Sequence, residues 1–298
     1  MNEILLPGVL EKLYTYTLDN GLKIYMVPNN KTKNFYITLS TKYGSIYTNF
    51  EYNGKKYDMP KGIAHYLEHL LFNMPDGTTA HDYFSKLGAN INAFTSFDRT
   101  QYICYGTKNF YDNLEFLMNY VNSPYYTDEN VEKEKGIIAE ELNMYADMPD
   151  WQVETKLREA LYVNHPRRVD IGGTVSSIMK ITTEDLDTCY NNFYSPNNMF
   201  LLLVGNFDKD KASEVIHNYM DKIDNKGKPI VEEILEDENV NTKEEVFYTN
   251  IKVPKVAIGL KVPTSKLGDY EDITLDLYLQ MFTTLTFGTS SLFRERLR

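Results

Sequence analysis

The stretch Gly62-Ile63-Ala64-His65-Tyr66-Leu67-Glu68-His69-Leu70-Leu71-Phe72 places two histidines and a glutamate in an apolar run without proline or internal glycine. Such a run predicts a buried helix. Residues four apart lie on one helix face, so the imidazoles of His65 and His69 can point at one site. Neutral imidazole is a favoured zinc ligand. Glu68 lies close enough to hydrogen-bond a water at that site without being a ligand itself.

A zinc ion held by two histidines and a water lacks one protein ligand, and a carboxylate is a common third ligand. The segment 132–145 is rich in carboxylates and predicts a helix. Glu134 and Glu141 are seven residues apart and therefore share a face of it. Ile137 and Ile138 lie nearly on that face, so we expect it to point toward the core. A buried glutamate needs a partner, and a metal supplies one; the other two acids of this helix are expected to be solvated.

The composition excludes several classes of protein. The net charge is −11, from 31 basic and 42 acidic residues, and there is no dense Lys/Arg stripe, so we expect no nucleic-acid partner. Cys104 and Cys189 are the two cysteines and form no disulfide framework. We find neither a signal-like segment near Met1 nor an apolar run of membrane-spanning length. These features predict a cytoplasmic bacterial protein with no membrane partner.

The pattern of strands and helices predicts an α+β fold. The dipeptide Asn20-Gly21 lies between two alternating runs, which is a strong hairpin signal. Further strand-like runs cover residues 35–40, 92–97, 100–105 and 199–205, and amphipathic or capped helical patterns cover residues 81–87, 111–121, 127–145, 151–163 and 209–220. Elements in this order predict a mainly antiparallel sheet with helices covering one face.

Residues 226–243 are acid-rich and predict a linker between two domains. The first domain would then span residues 1–225, and the second would span residues 244–298. Within this second part, residues 245–248 and 256–262 predict strands, and residues 269–282 predict a helix. About 55 residues are few for a self-sufficient domain, so we expect an incomplete second domain that belongs to a longer protein or packs on something else.

Two local features near the carboxylate-rich helix have structural interpretations. Trp151 follows Pro149-Asp150 and is expected to pack beside that helix. The run Arg167-Arg168-Val169-Asp170 is interpreted as an ion pair within a loop rather than as a substrate contact.

The chain resembles the M16 family of zinc metallopeptidases, the inverzincins, and most closely its YmfH-like members from Gram-positive bacteria. The family pattern is H-x-x-E-H, here His65 to His69, followed at a distance by a glutamate. In this chain 71 residues separate His69 from Glu141. Other matching stretches are Gly44-Ser45, Gly88-Ala89-Asn90-Ile91-Asn92-Ala93-Phe94-Thr95-Ser96, residues 132–145 and Tyr194-Ser195-Pro196-Asn197-Asn198-Met199. The resemblance covers about residues 10 to 225.

The resemblance implies an MPP-like fold, shared by LuxS and the mitochondrial processing peptidase, and one zinc ion per chain. It implies that His65, His69 and Glu141 are the zinc ligands. It further implies that Glu68 is the general base and that Glu134 is an auxiliary acid orienting a ligand. The peptide substrate would add in extended form to an edge strand containing Asn92, Ala93, Phe94 and Thr95.

In this family the second domain carries an arginine that reaches the substrate, and a tyrosine follows it seven residues later. The stretch 290–298 resembles the sequence leading to that arginine, which makes Arg298 a candidate substrate-binding residue. The tyrosine is absent from the sequence, so we expect the chain to be a fragment of a protein with two homologous domains. Family members also form dimers, which implies a homodimer or a heterodimer with another M16-like chain.

Three functions compete at this point. The first is a zinc-dependent endopeptidase that hydrolyses peptides or unfolded polypeptide segments. The second is a non-catalytic or partner-dependent M16-like subunit, although such subunits typically lose the histidines or the glutamate. The third is a lyase like LuxS, which shares H-x-x-E-H. It uses a cysteine as its third ligand, and neither Cys104 nor Cys189 lies in a matching context, so we discount the lyase.

Overall fold

A computed structural model of the chain describes residues 1–9, 11–262 and 272–296. Its main element is a seven-stranded sheet in the order β1-β2-β3-β9-β4-β8-β7, and a small sheet follows the order β10-β5-β6. The strands are β1 (Asn2–Leu6), β2 (Glu11–Thr17), β3 (Lys23–Pro28), β4 (Phe35–Thr41), β5 (Asn49–Tyr52), β6 (Lys55–Asp58), β7 (Ala89–Thr95), β8 (Thr100–Gly106), β9 (Met199–Gly205) and β10 (Ile230–Val231).

Ten α-helices accompany the strands in the described part of the chain. They are α1 (Ile63–Leu70), α2 (Ala80–Lys86), α3 (Phe110–Asn122), α4 (Asp128–Ala146), α5 (Pro149–Leu161), α6 (Val175–Ile178), α7 (Thr183–Phe193), α8 (Lys209–Met220), α9 (Asp272–Phe287) and α10 (Leu292–Arg296). The helices predicted up to residue 220 are present, with ends shifted by a few residues.

The large sheet is mainly antiparallel, as the sequence predicts. β3 and β9 are parallel, whereas the other neighbouring strands run antiparallel. The hairpin predicted at Asn20-Gly21 is confirmed, since β2 and β3 pair around it and Gly21 has a φ of 92°. Glycine adopts a positive φ at this turn without strain, because it has no Cβ atom that could clash.

Helices α1, α2 and α3 pack on one face of this sheet and form the core with it. On α3, Leu114, Leu117 and Met118 are fully buried, as the helical spacing of these residues requires. The opposite face of the sheet is more open, because Tyr36 is 41% exposed and Tyr105 is 44% exposed. The structure therefore has the α+β layers predicted from the sequence, and α1 lies within the helical layer.

The strands β1, β5 and β6 were not predicted. The signal for the β5–β6 hairpin was nevertheless present, because Asn53-Gly54 joins the two strands and both residues have positive φ, 50° and 75°. An Asn-Gly pair is the preferred two-residue hairpin turn. The flanking strands are short and rich in polar residues, so they lack the alternation of apolar and polar residues by which a strand is usually predicted.

The strands predicted at residues 245–248 and 256–262 are wrong, because these residues form no strand in the structure. The acid-rich segment 226–243 lies beside the C-terminal end of α5, which it contacts through Glu236. The carboxylate of Glu236 accepts hydrogen bonds from the backbone N–H groups of residues 163–165 and from Lys261. A segment with high β-propensity forms no sheet unless a partner strand pairs with it. The predicted helix at 269–282 begins at Asp272 in the described residues, and the domain boundaries stay a prediction.

Among the residues that the structure describes, we find no helix that combines the length and the apolar character needed to cross a membrane.

The first prediction concerns the burial of α1. Leu67 is fully buried, so Leu67→Ala should lower the free energy of unfolding by about 2–5 kcal/mol, measured by urea denaturation. Ile137→Ala on α4 is the control, because Ile137 is 46% exposed and its loss should change stability by less than about 0.5 kcal/mol. Equal effects of the two substitutions would contradict the placement of α1 in the core.

Candidate metal centre

The two histidines of α1 face each other across one side of the helix. Their Nε2 atoms are 3.1 Å apart, and the ring centroids are separated by 4.5 Å. Both side chains are mostly buried, with exposures of 16% for His65 and 26% for His69. The remaining residues of α1 are buried, including Tyr66 and Leu67, so the imidazoles occupy the one face of this helix that opens to a cleft.

The carboxylate of Glu141 on α4 lies opposite this pair of rings. Its Oε2 atom is 3.9 Å from the Nε2 atom of His65 and 3.6 Å from that of His69. The two helices pack against each other, and the hydroxyl of Tyr66 donates a hydrogen bond to the carbonyl of Val131. The packing of α1 against α4 therefore brings Glu141, which is distant in the sequence, to the two histidines.

The residues present fit a zinc ion. His65, His69 and Glu141 each offer a ligand atom, and all these atoms lie within 4.8 Å of one another. The edge of a zinc tetrahedron is about 3.3 Å for ordinary zinc–nitrogen distances, close to the observed separations of 3.1, 3.6 and 3.9 Å. Three atoms that carry lone pairs would repel one another at such distances unless a cation or protons lie between them.

Glu134 contacts the same site from one side. Its Oε1 atom accepts a hydrogen bond from Nδ1 of His69 at 2.9 Å, which leaves the Nε2 lone pair of that ring free for a metal. Glu134 and Glu141 thus share a face of α4, as their spacing predicts. The expectation that Ile137 also faces the core is wrong: Ile138 is fully buried, whereas Ile137 is 46% exposed.

The protein environment shifts the pKa values of the two histidines in opposite directions. Burial, and to a lesser extent the nearby His69, lowers the pKa of His65 to about 3. Burial also acts to lower the pKa of His69, but the hydrogen bond to Glu134 and the charges of nearby carboxylates outweigh it and raise that pKa. His65 is therefore neutral at pH 7, which is the state that a metal ligand requires.

Glu68 lies buried beside the two histidines. Only 7% of its surface is exposed, and its Oε2 atom accepts a hydrogen bond of 2.6 Å from the hydroxyl of Thr95. The hydroxyl of Thr100, 3.3 Å from that of Thr95, donates in turn to the carbonyl of Tyr43. Burial raises the pKa of the Glu68 carboxyl, although the hydrogen bond from Thr95 and the charge of His69 oppose this.

A cleft of about 310 Å³ gives access to these groups. Its lining residues are His65, Glu68, His69, Ala93, Phe94, Thr95, Glu141, Leu142, Tyr145, Trp151, Asp170, Ile171 and Gly172. β7 forms one wall and is the outermost strand of the large sheet, with β8 as its partner. The structure thus brings Ala93, Phe94 and Thr95 to the cleft, whereas Asn92 on the same strand is exposed and not part of the lining.

The opposite wall contains residues that the sequence did not indicate as part of the site. Trp151 stacks on Tyr145 of α4, with ring centroids 4.7 Å apart, which agrees with the expected packing beside that helix. Asp170 pairs with Arg158 of α5 at 3.4 Å rather than with an arginine of its own loop, so the predicted loop ion pair is wrong. Arg298 lies outside the described residues.

Comparison with protein families gives two adjoining matches. The family described as insulinase (peptidase family M16) matches residues 24–175, which is half of the chain. The family described as the peptidase M16 inactive domain matches residues 180–298. The residues of the candidate metal centre all fall within the first match.

Individual relatives agree with these matches. The uncharacterised zinc protease YmfH of Bacillus subtilis is 42% identical over 94% of this chain and 66% of that protein. The probable zinc protease PqqL of Escherichia coli is 29% identical over 74% of this chain and 25% of that protein. The chain therefore spans about two thirds or less of the length of these relatives.

Solved structures share the fold. The crystal structure of a candidate M16-like peptidase from Alicyclobacillus acidocaldarius superposes with a TM-score of 0.76 at 38% identity, over 80% of this chain and 56% of that chain. A protease from Helicobacter pylori gives a TM-score of 0.68 at 25% identity, over 76% of this chain and 55% of that one.

The second prediction concerns Glu134. Glu134→Gln keeps the size of the side chain but removes the charge beside His69, so we expect zinc binding to weaken by about 10- to 100-fold. Competition with a chromophoric chelator measures the affinity. Glu140→Gln is the matched control, because Glu140 is exposed on the same helix. A zinc affinity of Glu134→Gln equal to that of the control would show that Glu134 does not support the ligand.

The third prediction concerns pH. Protons compete with zinc for His69, whose pKa is raised above its ordinary value of 6.5, whereas His65 stays neutral until far lower pH. Zinc affinity should therefore fall as the pH drops through the raised pKa of His69, at a higher pH than for a histidine of ordinary pKa. In Glu134→Gln the decline should start at lower pH, because the hydrogen bond that raises the pKa of His69 loses its charge. An unchanged profile in this variant would refute the assignment.

Proposed function

Since the chain belongs to the M16 family of peptidases, we propose that it is a zinc-dependent endopeptidase that hydrolyses peptides or unfolded polypeptide segments. One observation carries the proposal. Three ligand atoms of His65, His69 and Glu141 converge beside Glu68, a buried carboxylate that is itself not part of the converging set. A structural zinc site uses four protein ligands, whereas a catalytic site has three and an open position.

In the proposed reaction His65, His69 and Glu141 hold one zinc ion per chain. Bound zinc supplies a Lewis acid for the substrate carbonyl and makes water more acidic. Glu68 accepts the proton of the attacking water and then donates it to the leaving amine. Glu68 is suited to both steps by its place, because its carboxylate is buried beside the converging ligand atoms and lines the cleft.

Thr95 and Glu134 would position these groups. The hydrogen bond from Thr95 fixes one oxygen of Glu68, so the other oxygen stays free to face the cleft. Glu134 fixes the ring of His69 through Nδ1 and would thereby orient its Nε2 atom toward the metal. Both contacts hold reacting or ligating groups that would otherwise rotate.

The substrate would bind as an additional strand along the free edge of β7. An edge strand presents unpaired backbone N–H and C=O groups, and an extended peptide can pair with them. Ala93, Phe94 and Thr95 lie both on this strand and in the wall of the cleft. Binding through backbone hydrogen bonds would explain acceptance of varied peptide sequences, because every peptide offers the same groups.

Other features predicted from the sequence belong to the same proposal. These are a dimer with an identical or another M16-like chain, a substrate contact from Arg298 and a cytoplasmic location. The E. coli relative PqqL is described as periplasmic, so relatives occur in more than one compartment.

A non-catalytic or partner-dependent subunit is the second candidate. It is favoured by the match of residues 180–298 to a domain described as inactive. Such a chain would bind zinc and peptide without cleaving, or would cleave only after a partner is added. Assays with and without a second M16-like chain distinguish the two candidates.

The fourth prediction tests the base. Glu68→Gln should retain zinc, because Glu68 is not among the converging ligand atoms, but should lower cleavage of an unstructured peptide by at least about 100-fold. Mass spectrometry of the products measures cleavage. Glu140→Gln, on the exposed side of α4, is the control and should cleave like the wild type. Full activity of Glu68→Gln would overturn the assignment of the base.

The fifth prediction tests the mode of substrate binding. Methylation of alternate backbone amides in a peptide substrate removes hydrogen-bond donors while retaining the side chains. We expect one of the two alternate methylation patterns to raise the KM or abolish cleavage, since successive amides of a strand point to opposite sides. Equal cleavage of both methylated peptides and the parent peptide would exclude pairing along β7.

A further inference from the structure

We propose that the turn formed by Asp170, Ile171, Gly172 and Gly173, here called the Asp170 turn, positions the ring of His65. Gly172 would be its main positioning residue, and Asp170 would hold the turn in shape. This inference rests on the proposed metal site, and it assigns a role to residues outside the ligand set.

His65 and His69 differ in how their outer nitrogens are held. Nδ1 of His69 donates to Glu134, whereas Nδ1 of His65 is buried and has no hydrogen-bond partner among the described residues. An outer hydrogen bond normally fixes the rotation of a metal-ligating imidazole. Without one, the ring of His65 can be held only by the surfaces that pack against it.

Gly172 supplies such a surface. A Cβ atom at residue 172 would lie 3.4 Å from Nδ1 of His65 and 2.8 Å from Cδ2 of Leu142, the residue that follows Glu141. A side chain at residue 172 would therefore face both the imidazole of His65 and Leu142 of the helix that carries the carboxylate ligand. A methyl group at this position would displace the end of the Leu142 side chain and would bring a new van der Waals contact to Nδ1 of His65.

The backbone of the Asp170 turn closely approaches the backbone at the start of α1. A Cβ atom at Gly62 would lie 2.2 Å from the carbonyl oxygen of Gly172, and one at Gly173 would lie 2.4 Å from the carbonyl oxygen of Lys61. The hydroxyl of Ser177 donates to that same Lys61 carbonyl at 2.7 Å. These backbone contacts leave no room for the turn to shift along α1, so a change at Gly172 must be absorbed by the side chains around it.

Asp170 fixes the shape of the turn. Its Oδ1 atom accepts the N–H of Gly172 at 2.9 Å, and its carbonyl accepts the N–H of Gly173 at 3.0 Å. Its other oxygen faces Arg158 of α5 at 3.4 Å. Both side chains are mostly buried, at 16% exposure for Asp170 and 13% for Arg158. This ion pair ties the turn to α5, a helix without any zinc ligand.

The direct test is Gly172→Ala. The φ of Gly172 lies outside the left-handed region, so alanine is compatible with the backbone, and only the added methyl group is tested. We expect the zinc dissociation constant to rise about tenfold or more. The visible absorption of the cobalt-substituted protein should also change, since it reports the geometry of the ligands. Gly136→Ala is the matched control, because a Cβ atom there meets nothing within 4 Å.

A second substitution separates the two contacts of Gly172. The double variant Gly172→Ala with Leu142→Ala removes the contact at 2.8 Å but leaves the one to His65. The proposal predicts that zinc binding stays weakened in the double variant relative to Leu142→Ala alone. Full recovery would show that the methyl group acts through Leu142 and would overturn the role assigned to the ring contact.

Asp170→Asn keeps the size of the side chain and an acceptor oxygen but removes the charge facing Arg158. This substitution should also weaken zinc binding, while the circular dichroism spectrum stays unchanged. It provides the test of the proposal if Gly172→Ala fails to fold. Wild-type zinc affinity and cobalt spectrum in every folded variant would overturn the proposal. Failure of the wild-type chain itself to bind zinc would instead refute the proposed function.

Discussion

The site depends on the packing of α1 against α4. Neither helix alone carries the proposed set of ligands, because α1 contains the two imidazoles and α4 contains the carboxylate. Their contact brings the ligand atoms of His65, His69 and Glu141 within 3.1 to 3.9 Å. Lone pairs at this distance repel one another unless a proton or a cation lies between them, so the core of the protein must hold these atoms in place. The buried faces of α1 and α4 supply that constraint.

Each functional side chain is oriented in a different way. His69 is held by a charged hydrogen bond to Glu134 and Glu68 by the hydroxyl of Thr95, and we propose that the Asp170 turn holds His65. Thr95 connects the base to β7, the strand along which we propose that substrate binds. A substrate paired with that strand would thus lie beside the same residue that orients Glu68, which couples binding to the position of the base.

Local patterns were sufficient to predict the helix of the two histidines, the hairpin at Asn20-Gly21 and the shared face of Glu134 and Glu141. Each of these depends on residues that are close in the sequence. Residues 245–248 and 256–262 were mispredicted as strands, because strand formation depends on a partner strand that the local sequence does not reveal. Asp170 was assigned to an ion pair within its own loop, which is wrong because its partner Arg158 lies on a different element and only tertiary packing brings the two together.

The most direct measurement is a crystal structure of the zinc-loaded chain with anomalous scattering recorded at the zinc edge. The account predicts one strong peak per chain, with Nε2 of His65, Nε2 of His69 and a carboxylate oxygen of Glu141 each about 2.0–2.2 Å away. The oxygen of Glu68 would lie outside this ligand shell. A zinc ion bound elsewhere, or a Glu141 side chain turned to solvent while the histidines hold the metal, would contradict the account.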